Sequence, residues 1–265
     1  MLPGRRETAL DRLAVEEPLE IRVHGGPLAV VMRTPGRDRD LVAGFLAAEG
    51  VLRDAEDLAG VEPCLDPETG GPAANVWNAV LAPGVPFDPR ERRFAPVGSA
   101  CGLCGARTLD ALIRELPPLP APPATLALAD LTAAFEALHQ RQALFAATAG
   151  SHGAALWTPA AGLLDVAEDV GRHNAVDKLL GSRLLAGGYP VAPEEADPPL
   201  LLVSGRISFE LTQKAALAGV PLLAGVGMPT SLAVEAAQRC GQALLGWVRD
   251  GGASVYAGAT RLLAP

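Results

Sequence analysis

The fold of this chain is decided by the stretch LLLVSGRISFE at residues 200–210. Four consecutive apolar residues are typical of a strand that is buried on both faces. The polar residues Ser204, Gly205 and Arg206 then interrupt the apolar run, and helical spacing of apolar residues begins at Phe209. The stretch therefore predicts a strand, a polar junction and a helix, which is the repeating unit of an α/β fold.

The same succession recurs on both sides of this stretch. Strands are predicted at residues 154–157, 163–166, 221–224, 244–248 and 254–256, and helices at residues 175–185, 209–217 and 232–240. An amphipathic helix after Asp130 precedes them. Short apolar strands that alternate with helices predict an α/β/α layered domain, in which helices cover both faces of one sheet.

The chain before this domain has a different pattern. Apolar residues at 19–23 and 28–32 flank the pair Gly25-Gly26, which predicts a β-hairpin, and a further strand is predicted at residues 75–81. Five prolines within residues 117–123 can neither continue a helix nor lie in a central strand. We therefore predict a smaller N-terminal α+β domain at residues 1–116, a Pro-rich connector at residues 117–123 and the α/β domain at residues 124–265.

The composition limits the classes of function. Hydrophobic residues make up 49% of the 265 residues and charged residues 20%, which is typical of a globular protein. A formal net charge of −8 disfavours binding to nucleic acid or to an anionic membrane, but it leaves room for a local basic pocket. The N-terminus lacks the apolar core of a signal peptide, and no run has the length of a membrane span. We therefore expect a cytoplasmic protein with no nucleic-acid or membrane partner.

Two of the four cysteines form the motif Cys101-Gly102-Leu103-Cys104-Gly105. Thiols at this spacing can bind a metal ion, form a disulfide or carry sulfur as a persulfide. A zinc site would need more ligands than the isolated Cys64 and Cys240 supply, and no histidine has a glutamate two residues later, as zinc deaminases require. A helix that starts after Cys104 would favour the thiolate. The motif alone leaves sulfur carriage, redox exchange and two incidental thiols open.

Polar side chains follow the predicted strands of the second domain. Arg172 and His173 lie after one strand and Arg206 after another, while residues 228–231 form a third junction and His152 a weaker fourth. Ligands of α/β domains bind at such strand ends, where arginine side chains and helix N–H groups can hold a phosphate.

A simpler interpretation of these junctions is a set of capped helices with solvated charges. At one junction, Glu168 or Asp169 could accept hydrogen bonds from a base or an amine of a ligand. At another, Glu210 and Lys214 have the spacing of an ordinary ion pair on a helix surface, which is the simpler interpretation. Thr230 or Ser231 could likewise be a helix cap.

Six motifs occur in order along nearly the whole chain: GFL at residues 44–46 with Glu49-Gly50, the cysteine motif at 101–105, DVGRHNAVDK at 169–178, SGRISFE at 204–210, PTSLAV at 229–234 and VY at 255–256. With these motifs the chain resembles the formate dehydrogenase accessory sulfurtransferases, the FdhD family. The ten-residue run at 169–178 is the most specific of them.

The resemblance implies a cytoplasmic homodimer with sulfurtransferase activity. Such a protein takes sulfur from a cysteine desulfurase as a persulfide and passes it to the molybdenum or tungsten bis(guanine dinucleotide) cofactor, which is then inserted into formate dehydrogenase. A guanine nucleotide such as GDP would be an analogue of this bound substrate. The resemblance also implies a second domain similar to the cytidine deaminase fold, here without the zinc motif of the deaminases and with no structural zinc.

The resemblance implies that Cys101 is the persulfide carrier, and Cys104 is a second expected catalytic residue whose role the sequence leaves open. It also implies a cofactor-binding stretch near the C-terminus, at Trp247, Val248, Arg249, Asp250, Gly251 and Gly252. We expect the polar junctions to supply the other cofactor-binding residues, which are Arg172, His173, Asn174, Ser204, Gly205 and Arg206.

Two other functions remain to be distinguished from this one. The first is a molybdenum-cofactor-binding chaperone without sulfur chemistry, in which the cysteine loop only docks a partner. The second is a nucleotide deaminase or another hydrolase with the same fold. The sequence does not determine whether the metal is molybdenum or tungsten, nor which formate dehydrogenase is served.

Overall fold

The computed structural model describes residues 9–88, 116–119, 126–192, 197–249 and 251–262. Within these ranges the chain forms two β-sheets and six α-helices, so the fold is mixed α/β. Cys101, Cys104, the helix expected after them and Asp250 lie outside the described residues, and the roles expected of them stay predictions. Within the described ranges, no helix combines the length and the apolar character needed to cross a membrane.

The first sheet has four strands in the order β2-β1-β4-β3. The strands are β1 Glu17–Val23, β2 Gly26–Arg33, β3 Leu58–Leu65 and β4 Pro72–Leu81. The predicted hairpin is confirmed as β1 and β2, and the predicted strand at 75–81 as part of β4. Strand β3 was not predicted, because it contains Gly60 and Pro63, two residue types that are uncommon in strands.

The second sheet has six strands in the order β10-β9-β8-β7-β5-β6. The strands are β5 His152–Thr158, β6 Gly162–Asp169, β7 Leu200–Val203, β8 Leu222–Gly225, β9 Ala243–Arg249 and β10 Gly252–Ala257. Strands β7, β8 and β9 are parallel, whereas β5, β6 and β10 are antiparallel to their neighbours. All five strands predicted for this half of the chain are confirmed, together with β7 itself.

The six helices are α1 Asp38–Ala48, α2 Leu128–Arg141, α3 Ala143–Thr148, α4 Arg172–Leu185, α5 Phe209–Leu217 and α6 Ser231–Cys240. Alternate residues of β7 pack on opposite faces of the second sheet. Leu201 and Val203 join the core with α4, α5 and α6, whereas Leu200 and Leu202 join the core with α2. Helices therefore cover both faces of the sheet, and this explains why β7 is apolar at every position. A specific likeness to the cytidine deaminase fold stays a prediction.

Helix α1 of the N-terminal part packs closely on α4 of the C-terminal part. Gly44 faces the backbone of Asp177, and Gly181 faces the backbone of Asp40, with no room for a Cβ at either glycine. One hydrophobic core extends from Leu19 of β1 to Leu201 of β7 across this helix pair. The two sheets are thus joined through shared apolar packing, and the division into two domains at residues 117–123 stays a prediction.

Candidate functional site

The polar junctions of the second sheet meet at one edge. Val203 at the end of β7 pairs with Gly225 at the end of β8 and with Ala154 of β5. His152, at the start of β5, lies opposite Asp169 at the end of β6. Strand β9 runs parallel to β8, so its end lies on the same side. We call this side the carboxyl edge; its loops contain residues 150–153, 169–174, 204–208, 226–230 and 247–249.

Asp169 is fully buried at the carboxyl edge and holds the start of α4 in place. Its carboxylate lies 2.7 Å from Nζ of Lys178 and accepts a hydrogen bond from the backbone N–H of Thr34 at 3.1 Å. Nδ2 of Asn174 donates to Asp169 at 3.0 Å and to the backbone oxygen of Met32 at 2.7 Å. Asp169 and Asn174 therefore fasten α4 to the hairpin of the first sheet.

Glu168 is also occupied by the protein itself. Its carboxylate accepts hydrogen bonds from the backbone N–H groups of Leu144 and Phe145, each at 2.8 Å, and from Oγ of Ser151 at 2.9 Å. A carboxylate that caps the first turn of a helix is stabilised by the unpaired N–H groups there. Neither Glu168 nor Asp169 is therefore free to accept hydrogen bonds from a ligand in this structure.

Arg172, the first residue of α4, brings a guanidinium to the carboxyl edge. Its Nε is buried and makes no hydrogen bond, and no carboxylate pairs with the side chain within the described residues. Gly205 lies beside both Arg172 and His152, since a Cβ there would be in van der Waals contact at 3.9 Å from Cδ of Arg172 and 3.4 Å from Nδ1 of His152. A buried N–H group that lacks an acceptor is costly, so it marks a place where an anionic ligand would be stabilised.

Arg206 extends the positive charge along the carboxyl edge. Its side chain is exposed and makes no hydrogen bond or ion pair within the described residues. Gly227 packs against its backbone, where a Cβ would come within 2.9 Å of Cα of Arg206. The two loops that follow β7 and β8 can lie this close only because residue 227 is a glycine.

Trp247 lies at the next position along the edge. It is 41% exposed, and its backbone has a φ of 57°, which is unusual for a bulky residue. Its N–H donates to the backbone oxygen of Gly227 at 3.3 Å, and Cζ of Arg249 lies 3.5 Å from the centre of its ring. Exposed Val226 and Met228 lie in the loop that contacts it. The edge therefore ends in an aromatic and apolar surface with a stacked cation.

His173 contacts the start of helix α5. Its Nε2 lies 2.9 Å from Oε2 of Glu210 and 3.2 Å from Oγ of Ser208. Lys214 does not pair with Glu210 on the helix surface as the simpler interpretation expected; it is buried, and its Nζ lies 2.6 Å from Oδ1 of Asp177. Burial raises the pKa of Asp177, while the charge of Lys214 opposes this rise. The surface-pair interpretation was wrong because tertiary packing turns Lys214 inward.

The remaining cofactor-binding candidates lie at the same edge. Oγ of Ser204 accepts a hydrogen bond from the backbone N–H of Gly153 at 2.9 Å, which ties β7 to β5. Val248 is buried, Gly251 has a positive φ of 74° in the turn after β9, and Gly252 pairs with Arg249. Ser204, Val248 and Gly252 therefore shape the edge, while the side chains of Arg172, Arg206, Trp247 and Arg249 are presented along it.

Two residues at the edge had little or no sequence signal. Val226 follows β8 as one more apolar residue, and nothing in the sequence distinguishes it from the strand. His152 gave only a weak signal, because a single histidine beside glycines is common in loops. The capping interpretation of Thr230 is confirmed, since its Oγ1 accepts a hydrogen bond from the N–H of Ala233 at 3.3 Å.

The described cysteines and acidic residues suggest no metal centre of their own. Cys64 is half-buried and free, and Cys240 is buried with a pKa that burial raises. Across the described ranges, no three histidine, cysteine or carboxylate side chains lie together as a metal ion would require. The prediction of no structural zinc concerns the whole chain, including the cysteine motif, and stays a prediction.

Comparisons with known proteins agree with the motifs. A family model for FdhD/NarQ proteins matches residues 14–263. The chain is 48% identical to the sulfur carrier protein FdhD of Anaeromyxobacter dehalogenans (strain 2CP-C), over 95% of this chain and 88% of that protein. It is 45% identical to the sulfur carrier protein FdhD of Mycobacterium tuberculosis, over 96% of this chain and 93% of that protein.

A solved structure shares the fold. It belongs to a protein from Desulfotalea psychrophila described as a formate dehydrogenase accessory protein, and it matches with a TM-score of 0.75 and 25% sequence identity. The match covers 98% of this chain and 95% of that one. Since the family model covers almost the whole chain and the relatives match over nearly their full length, this protein belongs to the FdhD/NarQ family.

Proposed function

We propose that this protein is a sulfurtransferase that serves formate dehydrogenase. It accepts sulfur from a cysteine desulfurase as a persulfide and transfers it to a molybdenum or tungsten bis(guanine dinucleotide) cofactor. The observation that carries the proposal is the identity of 45–48% with proteins named sulfur carrier protein, over nearly the whole chain. The accessory role of the Desulfotalea protein supports formate dehydrogenase as the enzyme that receives the cofactor.

The first step loads sulfur onto Cys101. The Cys101 thiolate attacks the terminal sulfur of the persulfide on the desulfurase, and a new sulfur–sulfur bond forms as the old one breaks. The desulfurase cysteine leaves as a thiolate, and Cys101 becomes a persulfide. The exchange neither consumes nor releases electrons, so it needs no redox cofactor.

The second step delivers the sulfur to the metal. The sulfane sulfur must gain two electrons to leave as sulfide, and Cys104 supplies them. Its thiolate attacks Sγ of Cys101, a Cys101–Cys104 disulfide forms, and hydrosulfide is released. The hydrosulfide takes the place of an oxygen ligand of the metal, and this oxygen leaves as water with the hydrosulfide proton and one further proton. An external thiol reductant then restores both cysteines.

The carboxyl edge supports the binding of the cofactor. Arg172 and Arg206 have no carboxylate partner within the described residues, so their charge is available to the diphosphate groups of the guanine dinucleotides. Trp247 with its stacked Arg249 offers an aromatic surface to a purine or a pterin ring. A homodimer suits a cofactor with two nucleotide arms, since each subunit would bind one arm. Transfer in the cytoplasm is part of the same proposal.

Radiolabelled sulfur tests the carrier role of Cys101. The protein is incubated with a cysteine desulfurase and radiolabelled cysteine, and protein-bound label is measured before and after treatment with a thiol. We expect thiol-releasable label on the wild type and none on Cys101→Ala. Cys104→Ala should keep the label but fail to pass it on. Cys64→Ala is the matched control, because Cys64 is a free and partly accessible cysteine outside the motif.

Two outcomes would contradict the proposal. Label on Cys101→Ala equal to that of the wild type would remove Cys101 as the carrier. Activation of formate dehydrogenase by Cys101→Ala, with guanine nucleotide binding intact, would instead support a chaperone without sulfur chemistry.

A further inference from the structure

His152 lies beside Gly205, next to Arg172. Its ring is half-buried at the start of β5 and makes no hydrogen bond within the described part of the chain. The ring lies over Gly205, where a Cβ would be 3.4 Å from Nδ1 and 3.6 Å from Cε1. The ring nitrogens are therefore available to a ligand that binds beside Gly205.

The charges around His152 oppose its protonation. Burial lowers its pKa below the ordinary 6.5, and the nearby charges of Arg172 and His173 lower it further. Asp169 acts in the opposite direction, but its carboxylate is paired with Lys178.

The other charged groups on the neighbouring elements do not favour protonation of His152. Glu168, next to Asp169 on β6, is held by the N-terminus of α3 and by Ser151, as described above. Arg206, in the loop after β7, adds positive charge. Glu210 contacts His173, with Oε2 2.9 Å from Nε2. The space beside Gly205 thus has an excess of positive charge, and this excess would be offset by an anion.

We propose that His152 is a diphosphate-binding residue that completes an anion site with Arg172 beside Gly205, and that it takes up a proton when the ligand binds. The inference rests on the proposed function, which supplies a diphosphate ligand in the guanine dinucleotide. The anion offsets the repulsion from Arg172 and His173, so it stabilises the imidazolium. The proton comes from solvent, and no covalent bond is made or broken. Protonated His152 then donates a hydrogen bond to a phosphate oxygen.

The coupling between proton uptake and ligand binding sets the direction in which affinity changes with pH. If the bound state holds one more proton than the free state, affinity rises as pH falls. The gain approaches about tenfold per pH unit between the pKa of free His152 and its higher pKa in the complex, and it vanishes above both values. Since the pKa of free His152 is lowered from 6.5, the affinity should continue to rise as the pH falls below 6.5.

Calorimetric titration with a GDP-sugar tests the proposal. The diphosphate of a GDP-sugar is a diester, so the ligand itself does not titrate in this range. We expect the wild type to bind more tightly as pH falls and to take up protons, which is seen as a heat that depends on the ionisation enthalpy of the buffer. His152→Gln should bind with similar affinity at high pH but lose both effects. His139→Gln, at an exposed position near the end of α2, is the matched control and should retain them.

A second variant tests the same site without removing the histidine. In Gly205→Ala the added methyl group would contact the ring of His152 and the side chain of Arg172, where the diphosphate is proposed to bind, so the GDP-sugar should bind more weakly at every pH. Pyrophosphate and guanosine separate the two parts of the ligand. The rise in affinity with falling pH should be observed with pyrophosphate, after correction for the titration of pyrophosphate itself, and should be absent with guanosine.

The outcomes distinguish this inference from the proposed function. An unchanged pH dependence in His152→Gln, or no proton uptake by the wild type, would overturn the inference while leaving the sulfur-labelling result untouched. Failure of the GDP-sugar to bind would also overturn it. Loss of the labelling difference at Cys101, with the pH dependence at His152 intact, would overturn sulfur carriage and leave the anion site in place.

Discussion

Lys214 and Asp177 form an ion pair that is almost completely removed from solvent. Nζ lies 2.6 Å from Oδ1, and Asp177 is 2% exposed. Burying two charges carries a large desolvation penalty, which is offset only while both partners are present. The pair joins α5 to α4, the helix whose first residue, Arg172, belongs to the candidate anion site.

At this scale we predict that Lys214→Met destabilises the protein by about 3–5 kcal/mol, because Asp177 is left buried without a partner. The double variant Lys214→Met/Asp177→Leu should recover much of the loss. Arg239→Met is the control; it removes only the exposed pair with Glu235 and should cost about 0.3–0.5 kcal/mol. Urea unfolding followed by circular dichroism measures all three. Equal losses for Lys214→Met and Arg239→Met would disprove the role of the buried pair.

The crossing of α1 and α4 is the main contact between elements from the two halves of the chain. Gly44 and Gly181 lie at the point of closest approach, where each helix touches the backbone of the other. Close approach allows Arg37, just before α1, to reach β6, where its guanidinium donates to Asp165 at 2.8 Å. The two glycines thus set the distance between the first sheet and the helix that begins at the carboxyl edge.

We predict that Gly44→Ala destabilises the protein by about 1–3 kcal/mol or more, because the methyl group would overlap the backbone oxygen of Asp177 and separate the helices. Gly60→Ala is the matched control, since nothing lies within 4 Å of a Cβ at that position. Thermal unfolding of both variants tests the prediction. A Gly44→Ala variant as stable as Gly60→Ala would show that the helices can move apart at little cost.

The shared core makes the two sheets dependent on each other at the scale of the whole molecule. Trp77 of β4 packs against the same apolar cluster that includes Leu179 of α4 and Leu201 of β7. The buried Lys178 adds a polar link, because its Nζ donates to the backbone oxygen of Thr34 at 2.8 Å. Domains that share a core of this kind unfold together, whatever their boundary in the sequence.

We therefore predict one cooperative unfolding transition for both sheets. In Trp157→Phe/Trp247→Phe the remaining Trp77 reports on the first sheet, and in Trp77→Phe/Trp247→Phe the remaining Trp157 reports on the second. Fluorescence of the two variants should give coincident urea transitions, each matching its own circular dichroism curve. Different fluorescence and circular dichroism midpoints in the same variant would instead show that the two halves unfold independently.

Charge is also distributed unevenly over the whole molecule. The formal net charge is −8, yet Arg172, Arg206 and Arg249 lie along one edge of the second sheet. An acidic surface with a local positive edge repels nucleic acid in general but can still attract one phosphorylated ligand. The net charge alone disfavours nucleic acid as a partner, but it does not show where on the surface a phosphorylated ligand could bind.

The sequence by itself determined most elements of the fold and indicated the family. Apolar runs such as residues 200–203 predicted strands, and spacing predicted helices, because burial of apolar surface follows the local period of each element. Six motifs in order, of which the run at residues 169–178 is the most specific, indicated the family, and the polar junctions after successive strands predicted a common ligand edge.

Only the tertiary structure decided which polar groups at that edge remain free. Glu168, Asp169 and Lys214 have the same local signals as ligand-binding or surface residues, but partners distant in sequence occupy them. Arg172 and His152 have no such partner within the described residues. Hydrogen bonds and ion pairs form between side chains that the fold brings together, so their pairing depends on contacts that no local pattern contains.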